Sequence, residues 1–165
     1  MGKESISITP VTKKDVPDII QLQKEFELYL GKLSGKPREP FSVRDRTSRL
    51  IKDGFGIKRA FQGFIARRKG KAIGYIFYHQ GYDPDEMRGR VIHIVDIFVS
   101  KDARRLGVGK LLMEKIAKLC RKIGGNDIYF GVWLKNKDAI KFYKKLGAEW
   151  IKEVPFMRWN YKKWD

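Results

Sequence analysis

The stretch VIHIVDIFVSKDARRLGVGKLL, from Val91 to Leu112, constrains the fold more than any other part of the chain. Its first half alternates apolar and polar residues as a half-buried strand does, and a short loop then leads into a helix start punctuated by glycine. The first N–H groups of a helix have no partner within it, and Gly107 and Gly109 leave room for an anion to approach them. The helix dipole adds about 0.3–1 kcal/mol of attraction. Two other nucleotide-binding turns are excluded. A dinucleotide fingerprint needs a third glycine at position 112, which is leucine, and a P-loop needs Ser or Thr after Lys110, where Leu111 stands. A tight strand-to-helix turn with no ligand accounts for the glycine spacing equally well.

The flanking sequence supplies the partners for such a strand and helix. Ser5–Thr9 alternates as a first strand would, and Pro10 ends it by removing a backbone donor. Thr12 with Asp15 opens a helix whose apolar face is Ile19, Leu22, Phe26, Tyr29 and Leu33. Ser42 is placed to cap a second helix that runs through Leu50 and Ile51 and stops before DGFG. Strands are expected over Ala60–Arg67, Lys71–His79 and Val91–Val99, joined by a Lys69–Gly70 turn and the loop GYDPDEMRGR. A helix from Leu106 to Ile123, a strand over Asp127–Leu134 and a short helix from Lys137 to Leu146 follow. Ala148–Lys152 and Phe156–Tyr161 read as a closing hairpin. An antiparallel meander joined to a β-α-β unit gives an α/β (α+β) fold, a mixed and mostly antiparallel sheet of about seven strands under about four helices.

At 165 residues the chain fits one domain over residues 1–165. No run approaches the roughly 18 apolar residues of a membrane span, and the N-terminus lacks an apolar core of signal-peptide length, so a cytoplasmic protein with no membrane partner is expected. Cys120, the single cysteine, sits in a helical apolar pattern and excludes an intrachain disulfide or a cysteine-rich metal site. With 36 Lys and Arg against 19 Asp and Glu, the net charge of +17 favours phosphate-rich partners. The basic residues are spread along the whole chain, so a nucleic-acid partner has no support beyond that charge.

Arg104-Arg105-Leu106-Gly107-Val108-Gly109 resembles the R/Q-x-x-G-x-G/A motif of the GNAT N-acetyltransferases. Asn136-Lys137-Asp138-Ala139-Ile140-Lys141-Phe142-Tyr143 is similar to that superfamily's N-x-x-A/S-x-x-F/L-Y segment, and Lys145-Leu146-Gly147-Ala148 to its K/R-x-G-A/F ending. The DGFG after the second helix, the strand IVDIFV and the segment FYKKLGA resemble, within the superfamily, the spermidine/spermine and thialysine acetyltransferase group. Two departures stand out. That group's paired acids on the fourth strand fall on Val95 and Asp96, and the acid near the end of its first helix falls on Leu30.

The resemblance implies a ternary complex in which acetyl-CoA, the co-substrate, gives its acetyl group to a primary amine, with no metal and with a homodimer as an expected assembly. Backbone N–H groups of Arg105, Leu106, Gly107, Val108, Gly109 and Lys110 would hold the pyrophosphate, with Arg104 shaping the turn and Asn136 orienting cofactor or helix. The pantetheine arm would lie along Ile97, Phe98 and Val99, where the Ile97 N–H is placed to polarise the thioester carbonyl. Tyr143 would protonate the departing sulfur. His93 is the expected base: simple alternation puts it on one face with Val95 and Ile97, and Asp96 on the other unless a bulge intervenes. Acceptors left open are a small polyamine-like or amino-acid-like molecule, a protein lysine or an N-terminus. A non-catalytic module binding acetyl-CoA or nucleic acid is the alternative from another class, distinguished by salt-sensitive RNA binding without thiol release.

Overall fold

The computed structural model describes residues 5–36, 38–84, 89–151 and 157. Five strands form one sheet in the order β1 (Ile6–Pro10), β2 (Gln62–Arg68), β3 (Lys71–Asp83), β4 (Gly89–Val99) and β5 (Asp127–Phe130). The first four are antiparallel neighbours and β5 runs parallel to β4. The parallel step needs a crossover, which α3 (Val108–Lys122) provides. Helices α1 (Val16–Ser34) and α2 (Val43–Gly54) lie between β1 and β2 in sequence, and α4 (Lys137–Lys145) follows β5.

The sheet carries an apolar cluster on each face, which is why β2 to β4 read as nearly continuous hydrophobic runs. Leu112, Ile116 and Cys120 of α3 pack on Phe64, Ala66, Ile76, Tyr78, Ile92 and Ile94. Ile19, Ile20 and Leu22 of α1 and Leu50 of α2 pack on Ile65, Tyr75, Phe77 and Phe98 from the other side. Cys120 thus serves as a small core residue, in line with its place in the helical pattern.

Several boundaries differ from the expected ones for identifiable reasons. Thr12 and Asp15 do pair, the Asp15 carboxylate accepting from both the Thr12 N–H and hydroxyl, but they close a short 3-10 turn ahead of α1. Gly35, in the left-handed region at φ 65°, ends α1. β3 and β4 extend into the expected GYDPDEMRGR loop. β5 stops at Phe130 instead of Leu134 because the chain leaves the sheet there. The sheet described has five strands, not about seven. Ala148–Ile151 is not strand, and residues 152–156 and 158–161 of the expected hairpin lie outside the described residues. Among the described residues no helix is long and apolar enough to cross a membrane.

One irregularity sets the site. Between β3 and β4 the register runs Tyr78 with Ile94 and then Phe77 with Asp96, so Val95 is an extra residue without a partner on β3. Such a bulge shifts the inward and outward alternation by one position. His93 and Asp96 therefore share the face of β4 that carries Phe98 and looks toward α1 and α2, while Ile97 and Val99 turn toward α3. The expectation that His93, Val95 and Ile97 share a face does not hold, because it assumed an unbroken period of two.

Candidate active site

β4 and β5 pair only from Val91 with Asp127 to Ile94 with Phe130. Beyond that point β4 continues to Val99 while the chain after Phe130 departs through Gly131–Leu134 toward α4. The β5 side of Val95–Val99 has no partner strand among the described residues. It is a free run of strand edge, opposite the β3 side on which residues 96–99 are paired, and free edges of this kind receive extended ligands by backbone hydrogen bonding.

The turn into α3 lies at the end of this edge. Arg105 and Gly107 both take positive φ, 65° and 82°, and Gly107 is the N-cap of α3 with open space where a Cβ would stand. Left-handed residues followed by a helix start aim successive N–H groups to one side, forming an anion-binding concavity. No acidic residue occupies the first turn of α3, although that is where carboxylates are usually favoured. Gly109 has a different cause from the one its spacing suggested: a Cβ there would meet the Phe142 ring at 3.2 Å, so this glycine lets α4 dock against α3. Arg104 packs over the rings of Tyr29, at 4.5 Å, and Phe98, and its Nε donates to the Val99 carbonyl.

Helix α1 ties both sides of the splay together. Glu25 Oε1 accepts from the Lys101 N–H at 2.7 Å, and Phe26 packs on Phe98. Toward the β5 side, the Tyr29 hydroxyl donates to Asn136 Oδ1 at 3.0 Å. Asn136 uses the same oxygen to cap α4 through the Ala139 N–H. The cap at Asn136 thus sets where α4 begins, and α4 in turn delivers Tyr143.

Tyr143 is 9% exposed and sits against the Phe130 and Phe142 rings. Burial, and then the charge of Asp96, push its phenol up to about 12, so it stays protonated at neutral pH. Asp96 is the second ionisable group at this centre. Tyr75, wholly buried, donates its hydroxyl to Asp96 Oδ2 at 2.5 Å, and the carboxyl also takes a hydrogen bond from the Ile97 N–H. Burial raises Asp96 to about 6, against the lowering effect of those two hydrogen bonds; Glu27 raises it further and Arg46 opposes that.

Glu27 and Arg46 belong to a cleft of about 460 Å³, lined by Glu27, Glu39 and Asp45 together with Arg38, Arg46 and Arg49. Glu27 is bridged by Arg38 at 2.6 Å and by Arg46 at 2.9 Å. Three carboxylates against three guanidiniums make this cleft charge-balanced in a chain of net charge +17.

Residues 21–148 match the model of the acetyltransferase (GNAT) family. The chain belongs to the GNAT family. It is similar to an uncharacterised N-acetyltransferase of Methanocaldococcus jannaschii, 30% identical over 149 residues; these make up 88% of this chain and 62% of that one, so the chain spans less than two thirds of that relative. It is 28% identical over 157 residues to the thialysine N-epsilon-acetyltransferase of Bos taurus, covering 90% of this chain and 87% of that one. Among solved structures, an aminoglycoside N-acetyltransferase in complex with CoA superposes with a TM-score of 0.67 at 21% identity, covering 95% of this chain and 96% of the other.

Within this GNAT chain the residues expected from sequence fall into two groups. Ile97, Phe98 and Val99 lie on the free edge, residues 104–110 form the turn at its end, and Asn136 and Tyr143 come from the opposite side. His93 stands elsewhere on β4, with its ring stacked on His79 at 4.9 Å and against Tyr129 at 5.4 Å. Burial, then His79, push its imidazole down, and Asp83 counters them. Gly81 makes the room for it, since a Cβ there would meet the His93 ring at 2.7 Å. Asp96, expected on the face opposite His93, shares the face of His93 because of the bulge at Val95. The signal that could have found it is the exposed Val95 between two inward positions, which marks a bulge only once β3 is in register.

Proposed function

We propose that the chain is an N-acetyltransferase that carries the acetyl group of acetyl-CoA to a primary amine of a small molecule by direct attack in a ternary complex. The observation that carries this reading is the splay of β4 from β5 ending at the left-handed turn and bare helix start of α3. One element offers unpaired backbone to an extended amide-bearing arm, and the other offers N–H groups to its phosphates. The superposed aminoglycoside acetyltransferase has CoA bound.

In this reading acetyl-CoA supplies the activated thioester, with residues 104–110 holding the phosphates and Ile97–Val99 the arm. Tyr143, held protonated, gives its phenol proton to the departing sulfur as the C–S bond breaks. The cleft beside Asp96 receives the acceptor. Its balance of guanidinium and carboxylate favours an amine that also bears an anionic group over a bare polycation, for which Arg38, Arg46 and Arg49 would be repulsive. The Bos taurus relative is named for thialysine, an amine of that kind.

An assay of thiol release from acetyl-CoA over a panel of polyamines, amino acids, aminoglycosides and peptide amines tests the reading. Amine-dependent release, strongest with carboxylate-bearing amines, is the expected outcome. Acetyl-CoA binding with no release for any amine would leave a binding module instead.

A further inference from the structure

A second hollow shares no lining residue with the splay, the turn or the acceptor cleft. It is a cavity of about 200 Å³ where the end of α2 meets β1, β2 and β3, walled by Pro10, Val11, Phe55, Phe61 and Phe64 and lined also by Tyr78 and Arg59. The DGFG segment builds one side of it. Gly54, the last residue of α2, lies so near the Phe61 ring that a Cβ would come within 2.8 Å of it, and Gly56 turns the chain at φ 108°. The Ala60 N–H then donates to the Asp53 carbonyl at 2.7 Å, which closes the loop and brings Phe55 and Phe61 to one cavity. Phe61 is held against Phe77 at 4.7 Å, and Phe64 stacks on Tyr78 at 5.7 Å.

Two groups give the hollow a polar end. Tyr78 is 5% exposed, and its hydroxyl has no hydrogen-bond partner among the described residues. Buried phenols ordinarily find one. No fully occluded side-chain oxygen or nitrogen among the described residues lacks a partner, so this hydroxyl is not sealed off and opens on the cavity that its residue lines. Burial pushes the phenol up and the charge of Arg59 opposes that, which makes the guanidinium the charge that acts on this hydroxyl. Arg59 has no ion-pair partner among the described residues, and no carboxylate lines the cavity. Lys115 adds a further positive charge over the Phe64 ring at 5.6 Å. Where the acceptor cleft balances its charges, this hollow leaves a donor and a cation unanswered beside aromatic walls.

We propose that the cavity binds a small aromatic monocarboxylate, its ring among Phe55, Phe61 and Phe64 and its carboxylate accepting from the Tyr78 hydroxyl and Arg59. The volume suits one ring and a short acid, since an apolar cavity of about 150 Å³ holds benzene. A charged amine is opposed by Arg59, so this is not a second place for the acceptor. The site is independent of acetyl transfer and stands or falls without it.

Calorimetry and ligand-observed NMR on the full chain, with benzoate and phenylacetate as probes and benzyl alcohol as their neutral match, test the site. Both acids should bind one to one, more weakly as salt rises, and benzyl alcohol about tenfold or more weaker than either. Tyr78→Phe should weaken benzoate by about tenfold or more, because it removes a hydrogen bond to a charged group and keeps the ring. Arg59→Gln, at an exposed position, should weaken benzoate by about 2–5-fold and leave benzyl alcohol unchanged. Saturating CoA should leave the benzoate affinity as it was. Failure of the parent to bind either acid overturns the proposal, as does equal binding of benzyl alcohol. Displacement of benzoate by CoA would move it to the splay and overturns this cavity, and so does an affinity unaltered in Tyr78→Phe or in Arg59→Gln. Thermal unfolding separates a folded Tyr78→Phe from a failed one, and where it fails Arg59→Gln decides alone.

Discussion

Replacing Asp96 by Asn should change how the stability of the fold depends on pH, whether or not any substrate is present. The Asp96 carboxyl titrates at about 6 in the folded chain, against 3.8 for the ordinary group, so the folded state binds this proton more tightly than the unfolded one. A raised pKa contributes stability that is fully present below the unfolded value and is lost as pH rises through the folded value. The whole shift corresponds to about 3 kcal/mol, of which about 2 kcal/mol falls between about pH 4.5 and pH 7.5. Asn keeps the shape and can still accept from Tyr75, but it does not ionise. The parent should therefore lose about 2 kcal/mol relative to Asp96→Asn over that interval, while Glu27 and Arg46, common to both, cancel in the difference. Urea unfolding at the two pH values reads this as a relative shift of roughly 1 M in midpoint, given a slope of about 1–3 kcal/mol per molar. A difference between parent and variant that stays constant with pH would refute the reasoning, since it would mean that Asp96 titrates alike in both states.

Three further outcomes follow from the geometry. Gly107→Glu should abolish acetyl-CoA binding by calorimetry, because it puts a side chain and a negative charge at a residue with φ 82° that caps the helix meant for phosphate. Tyr143→Phe should lower kcat by about 10²–10⁴-fold while acetyl-CoA binding stays nearly intact, as fits a group felt at departure of the sulfur; undiminished kcat would remove it from that role. Leu112→Ala, at a wholly buried position of α3 under the sheet, should cost about 2–5 kcal/mol in thermal or denaturant unfolding.

The fold was largely legible because its elements obey local rules. The period of α3, the cap at Asn136 and the apolar runs of β2 to β4 are each written within a few neighbouring residues. What escaped depends on pairs distant in sequence. The bulge at Val95 exists only relative to Tyr78 and Phe77 on β3, so no window of β4 alone could put Asp96 on the face toward α1 and α2. The end of β5 at Phe130 is likewise a departure from β4, and Leu134 continues the apolar run after pairing has stopped. Gly109 was read as room for an anion, while its nearest neighbour is Phe142, more than thirty residues away. Arg38, Arg46 and Glu27 carry no motif at all, and only the meeting of α1 with α2 makes a cleft of them.

Val95 itself is 55% exposed and is the residue left over in the pairing of β3 with β4. What matters is that the ladder leaves it out of the pairing. Taking it into the ladder as a paired residue would restore an unbroken period of two. With residues 96–99 held in register, everything before them on β4 would turn over: Ile92 and Ile94 would leave the α3 cluster, and His93 would enter it. With residues 89–94 held instead, the Asp96 carboxylate would be driven into that aliphatic cluster. The place of a single charge on the face toward α1 and α2 is thus encoded as arithmetic along the strand, by a residue that the ladder passes over without pairing.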